Sequence, residues 1–432
     1  MIRFLSISRD YVPPVRRESL GTRFHKVWAA SAISLVGDGV LLSAMPLLIA
    51  GLTTNTSLIS GLEVARGLPW LMFGLLGGVM ADRLDRRRVM AAVDAGRCIS
   101  VGLLALAVWQ GQVSVGLIWV VAFLLGSGEV FFDNSAQSIL PHLVETEQIE
   151  RANARFFVTE SVARDLAGPA IGAALFARAA SLPFALDSAS FFAASLIVFT
   201  LSGVYRARAR PRTKRARRQQ RRTGPTIRAD LREGWTWLRR HELLRSLLVI
   251  GSTYNFLVVG AEALNVVFVL RVLHESKATF GIILTVSAFG GVAAGLSADR
   301  VIQRLGPGTT ILATLALAGV AGLLAGTTNS VIVFAAAMAL AIACGTTANI
   351  VVLSLRQTLV PDELLGRVNS LYRVSIATAA PAGAAVAGVL AGVVSYRAPL
   401  LVMGIGTLLL AAAATTVVNN AAVDRALAPR PD

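Results

Sequence analysis

Twelve times along this chain an apolar run of close to 20 residues recurs, and that feature constrains its fold more than any other. A helix of such length rises far enough to cross about 30 Å of hydrocarbon. The runs cover residues 27–52, 58–80, 89–109, 115–140, 157–177 and 184–204, then 244–270, 280–298, 309–327, 331–355, 369–394 and 399–418. Apolar residues are continuous within them and do not alternate with period two, so a closed β-barrel is excluded. The composition agrees: 55% of residues are hydrophobic and 15% charged, against about 25% charged in soluble domains.

The net charge of +16 on 432 residues suggests a nucleic-acid partner until the charges are mapped. With the N-terminus placed in the cytoplasm, 33 of the 41 Lys/Arg fall in cytoplasmic segments. Arg178, Arg271, Lys277 and Arg397 fall outside, and Arg66, Arg97, Arg164 and Arg373 lie in or near the runs. That asymmetry is the positive-inside rule. It predicts a multi-pass inner-membrane protein with both termini cytoplasmic, its basic residues touching anionic lipid rather than nucleic acid. Cys98 and Cys344 both lie within runs, which leaves no extracellular disulfide framework. Five Arg precede the first run and no small-residue cleavage site follows it, so it reads as a membrane helix, not a removable leader.

Enzyme chemistry finds little support. His25, His142, His241 and His274 sit in loops or at run ends without a Cys/His cluster, so no metal site is expected. No phosphate-cradling G-x-x-x-x-G-K-[ST] loop is present, and no cofactor is expected.

The chain repeats itself. GGVMADRLDRRR follows the second run and GLSADRVIQR the eighth, pairing Gly78, Asp82 and Arg83 with Gly295, Asp299 and Arg300. QSILPHLVETEQIERAN is answered by QTLVPDELLGRVN, and GPAIG at 168–172 by APAG at 380–383. Each partner lies six runs further on, an even number, so both halves have the same orientation. A parallel six-plus-six repeat places a binding site between the halves near the midplane, the layout of a secondary transporter. The expected divisions are a cytoplasmic segment 1–26, a six-helix bundle 27–205, a linker 206–243, a second bundle 244–418 and a tail 419–432. The linker carries RARARPRTKRARRQQRR, which reads as disordered. After it comes an amphipathic stretch with Leu231, Trp235 and Leu238 at helical spacing.

At these residues the chain resembles the major facilitator superfamily. Gly78, Asp82, Arg83, Arg86 and Arg87 match its G-x-x-x-D-R-x-G-R-R signature, with Asp85 where glycine is usual. Gly168, Pro169 and Gly172 resemble the antiporter motif of drug:proton exporters, with Ala173 replacing its last glycine. Together with Gly37-Asp38, Asp94 and Arg97, they are similar to the group containing enterobactin exporters and macrolide-efflux-like proteins. The resemblance implies an all-α fold of twelve transmembrane helices and a functional monomer. It also implies a latch built from Gly78, Asp82, Arg83, Arg86 and Arg87 between helices of the two halves. A fourth-helix arginine linked to proton coupling in drug exporters is replaced here by Glu129 and Asp133.

Charges inside the membrane are costly and point to function or pairing. Asp38, between Gly37 and Gly39, is a candidate cavity carboxylate for a proton or a cationic group. Glu129 and Asp133, one helical turn apart, share a face where two carboxylates resist ionising together. Glu262 is the matching candidate in the second half. Asp94 with Arg97, Glu160 with Arg164, and Glu63 with Arg66 read as neutralising pairs within single helices. The expected function is proton-coupled export of small, partly apolar molecules (drugs, macrolide-like compounds or siderophores), driven by the proton gradient. The alternative is a uniporter or importer of a nutrient or lysolipid; a membrane-embedded enzyme or sensor lacks its metal motif or output domain.

Overall fold

The computed structural model describes residues 20–83, 85–140, 143–145, 148–201 and 227–428, and all regular structure among them is helical. The first half comprises α1 (Gly21–Leu52), α2 (Thr56–Arg83), α3 (Arg86–Trp109) and α4 (Val115–Ile139). It continues through α5 (Ile149–Thr159), a π-helical segment (Glu160–Ala167), α6 (Gly168–Arg178) and α7 (Leu182–Phe199). A short helix α8 (Ile227–Arg239) leads into α9 (Glu242–Glu262), α10 (Asn265–Arg271), α11 (Lys277–Leu305) and α12 (Pro307–Thr327). Then come α13 (Val331–Leu359), α14 (Asp362–Val393), α15 (Ala398–Ala414) and α16 (Asn420–Leu427). Among the described residues, nine stretches are long and apolar enough to cross a membrane, and α15 is a shorter apolar helix. With α2 and the α5–π–α6 run they make twelve crossings.

Local chemistry sets the helix ends. The Ser114, Ser276 and Asn419 side chains accept the backbone N–H of Leu117, Thr279 and Ala422, each capping the helix that follows. Gly306, at φ +77°, turns α11 directly into Pro307 at the start of α12. Asp85, the residue that departs from the signature loop, is the N-cap of α3: its carboxylate accepts Arg87 N–H, and its φ of −73° requires no glycine.

The repeat is visible in the packing. In the first half α1 packs on α6 and α7, α2 on α4, and α3 on α7. Six crossings later, α9 packs on α14, α11 on α13, and α12 on α15. The halves join through two related pairs, α2 with α14 and α6 with α11.

Call the end of the bundle that holds α8 the linker end and the opposite end, where Leu52 and Thr56 lie, the far end. The buried core is unevenly shared between them. One large apolar cluster unites both halves, running from Leu47 and Ile118 to Phe268 and Phe334. Towards the linker end the core divides into Val27, Met90 and Ala194 of the first half and Leu244, Leu355 and Val368 of the second. Cross-half bonds gather at the far end. Thr56 Oγ1 donates to Gly388 O at 2.6 Å, and Arg271 donates to Ala50 O, Thr53 O and Thr54 O at the end of α1. Among the described residues, side-chain bonds between the halves lie at the far end and where Thr285 Oγ1 of α11 donates to Leu166 O of the π segment, while each apolar cluster nearer the linker end belongs to one half.

Several boundaries differ from the sequence reading. The first helix starts at Gly21, six residues before the apolar run, because Phe24 is buried there beside Leu140 and Ala152. The seventh crossing is not one helix: it breaks between Glu262 and Asn265. The tail contains a capped helix, α16, whose Asn420 Nδ2 donates to Leu305 O. α8 forms where the amphipathic stretch was expected, with Leu238 buried and Trp235 43% exposed. It is tied to α14 by an Arg367–Glu233 ion pair at 2.7 Å. The basic stretch expected to be a disordered linker, 206–226, lies outside the described residues.

Candidate transport site

The fifth crossing shapes the site. Pro169 lacks an N–H, so the turn before it is short of one ladder hydrogen bond. The eight residues before Gly168 open into a π-helix. The wider turn carries Arg164 beside α1, and the fit is close enough that a Cβ on Gly39 would sit 2.4 Å from Arg164 O. A Cβ on Gly168 would sit 2.4 Å from Gly39 Cα, and Ser43 Oγ donates to Pro169 O at 2.8 Å. The antiporter-like motif Gly168-Pro169-x-x-Gly172 is therefore a backbone-to-backbone crossing of α6 on α1. Its counterpart at Gly383 does the same, since a Cβ there would lie 1.9 Å from Phe256 O of α9.

This crossing aims Asp38 of α1 into a polar cavity of about 50 Å³ between α1, α2, α3, α4 and the π segment. Three acids, Asp38, Glu63 and Glu129, and three arginines, Arg66, Arg97 and Arg164, line it. Arg164 bridges two helices: Nη2 meets Glu129 Oε1 at 3.3 Å and Nη1 meets Glu160 Oε1 at 3.2 Å. Arg97 is almost fully buried, its guanidinium 5.7 Å from the Phe132 ring centre and 5.3 Å from that of Phe191. It donates to Leu125 O at 3.4 Å and reaches Asp94 Oδ1 only at 3.9 Å. Such a cavity admits a few waters and small ions; a larger molecule enters only if the helices move apart.

The structure sorts the residues singled out from sequence. Asp38 and Glu129 both line the cavity. Glu129 is not a free partner for Asp133, since Arg164 holds it; Asp133 lies one turn nearer the linker end, half-buried. The Glu160–Arg164 and Asp94–Arg97 pairs form, the second at long range. Among the described residues no ion pair joins Glu63 to Arg66; both face the cavity instead. Glu262 is not among the residues lining this cavity; it is the last residue of α9, exposed at the break in the seventh crossing.

The latch residues are only partly in view. Gly78, Asp82 and Arg83 lie on the last turns of α2, and their side chains fall outside the described residues. Arg86 is buried, and Arg87 donates to Leu201 O within its own half. Gly295, Asp299 and Arg300 are exposed on α11.

Sequence reasoning missed Asp187. It lies on α7, 0% exposed, with Oδ1 accepting Ser190 Oγ–H at 3.2 Å and Oδ2 without a partner. The apolar run beginning at residue 184 puts Asp187 in its first turn, where a carboxylate is ordinarily solvated and favoured by the helix dipole. In the fold it lies against Gly37, halfway along α1.

The comparisons with known proteins fit this geometry. The model of the family described as "Transmembrane secretion effector" matches residues 14–431. The chain belongs to that family. This secretion-effector-family chain is 24% identical over 243 residues to macrolide efflux protein A of Streptococcus pyogenes, a match covering 56% of this chain and 57% of that relative. It is 26% identical over 399 residues to the enterobactin exporter EntS of Salmonella choleraesuis strain SC-B67, covering 90% of each. The chain thus spans little more than half of the macrolide relative and nearly all of the enterobactin one. Solved structures share its fold. The nucleoside transporter NupG has a TM-score of 0.72 at 12% identity over 92% of this chain and 99% of its own. A bacterial homologue of ferroportin in an inward-facing state has a TM-score of 0.69 at 16% identity, covering 95% and 100%. The architecture is the twelve-helix major facilitator fold.

Proposed function

We propose that this protein is a proton-coupled exporter of small, partly apolar molecules, working by alternating access from the inner membrane with its linker end in the cytoplasm. The observation that carries the proposal is the charged cavity at Asp38, enclosed within the first bundle by α1, α2, α3, α4 and the π segment. An export role is further supported by the two relatives named as efflux and export proteins. Siderophore-like or macrolide-like compounds are the cargo class those names suggest for this chain. Mixed apolar and charged walls would suit such molecules once the halves part. Asp38 is the group proposed to exchange a proton with cargo, because it reaches the cavity and, among the described residues, lies in no ion pair.

The test is proton flux in liposomes containing the purified protein, followed with a pH-sensitive dye while macrolides, siderophores and lipophilic cations are added. Cargo-triggered proton movement that Asp38→Asn abolishes is the expected result. Cargo movement without protons in both proteins would replace antiport with facilitated diffusion and reduce Asp38 to a structural role.

A further inference from the structure

Behind Asp38 lies a second carboxyl group that the cavity does not reach. Asp187 of α7 is fully buried, and its Oδ1 would lie 2.0 Å from a Cβ on Gly37, the residue before Asp38. Only a glycine lets the carboxyl come so near the α1 backbone. The single Ser190 hydroxyl proton is shared between Asp187 O at 2.8 Å and Oδ1 at 3.2 Å, while Oδ2 has no hydrogen-bond partner.

Three neighbouring helices supply the surrounding charges. α1 contributes Asp38, and α3 contributes Asp94, Arg97 and the Cys98 thiol, which sits 3.5 Å from Ser188 Oγ. α6, the third helix against α7, has Arg178 as its one titratable side chain, at the end remote from the site. Arg97 is the one cation among these near groups, and it is committed to the Phe132 and Phe191 faces and to Leu125 O. Both Asp94 oxygens lack hydrogen bonds as well. Asp187 and Asp94 therefore lie beside one arginine, Arg97, which is paired with Asp94 at 3.9 Å and makes no bond to Asp187; fully buried there, an ionised carboxylate without a donor is very costly. The group that removes this cost without a new partner is a proton on the orphaned oxygen.

We infer that Asp187 is a second proton-holding residue of the transporter, a neutral acid stored behind Asp38 and coupled to the charge on Asp38. On this assignment the O–H of Asp187 is kept while Asp38 is ionised. When Asp38 takes up a proton from the cavity, the repulsion that opposed ionisation of Asp187 falls. The inference rests on the proton-coupled reading for its role in transport, but the stored proton itself can be measured without any cargo.

Infrared difference spectroscopy on the purified, cargo-free protein reads the C=O stretch of a non-ionised carboxylic acid as pH is varied. The wild type should show such a band, Asp187→Asn should remove it, and Asp38→Asn should move the pH at which it disappears. Gly37→Ala and Ser190→Ala, which press on or unbind the same carboxyl without replacing it, should shift the band's frequency. They provide the readout if Asp187→Asn folds poorly. A band unchanged by Asp187→Asn, or indifferent to both neighbouring substitutions, overturns the assignment. If the band behaves as expected while liposomes show no proton-linked transport, the exporter reading fails and the stored proton stands.

Discussion

Arg164 draws together more of the site than any other residue, because one guanidinium joins the π segment to α4 through Glu129 and to its own helix through Glu160. Both ends of the Glu129 pair are about a quarter exposed to the cavity, so the pair is neither fully dry nor solvated. Glu129→Gln removes the interhelical half and leaves Glu160 as the remaining carboxylate against Arg164. A fully buried pair broken in this way costs roughly 3–5 kcal/mol; cavity water should hold the loss here to about 1–2 kcal/mol. The expected outcome is a modest fall in thermal midpoint in detergent together with at least tenfold slower transport. Unimpaired transport would mark the pair as scaffolding.

At the level of helices, the α1–α6 crossing depends on missing side chains. Gly168→Ala would place a methyl 2.4 Å from Gly39 Cα, against backbone that has no rotamer to give. Overpacking of this kind costs about 1–3 kcal/mol, whereas Gly96→Ala, with nothing within 4 Å, should be silent. Thermal unfolding of the two variants side by side tests the crossing, and equal midpoints would refute it. The same helices show how far the sequence could be read. Twelve apolar runs and three repeated motifs were enough for the crossings and their symmetry, because hydropathy and turn chemistry are local. The Arg164–Glu129 bridge, the Phe132 and Phe191 faces around Arg97 and the burial of Asp187 all depend on which helix faces which. Glu63 and Arg66, one turn apart, looked like a self-neutralising pair; packing turned both to the cavity instead. The π segment before Pro169 has no counterpart before Pro381, and the seat it gives Arg164 appears only against Gly39 of another helix.

At the scale of the whole molecule, side-chain bonds tie the two halves together at the far end. Thr56, Gly388 and Gly392 of the α2–α14 seam meet there, and Arg271 of the second half holds three carbonyls at the end of α1, where the helix dipole favours a cation. If export requires the halves to part at this end, tying it shut must stop transport without disturbing the cavity some turns away. A Cβ built at Gly392 would lie 3.0 Å from Thr56 Oγ1, close enough for Thr56→Cys and Gly392→Cys to be oxidised to a disulfide. The native thiols, Cys98 and Cys344, can be replaced by Ser and Ala to leave the introduced pair alone. Oxidation should abolish cargo transport in liposomes, and reduction should restore it, while the Asp187 infrared band stays as it was. Arg271→Ala should act in the opposite sense, loosening that end and raising the accessibility of a far-end cysteine to a membrane-impermeant thiol reagent. Full transport by the cross-linked protein would mean that cargo crosses without the far end opening, and a rocking two-bundle cycle could not then describe this molecule.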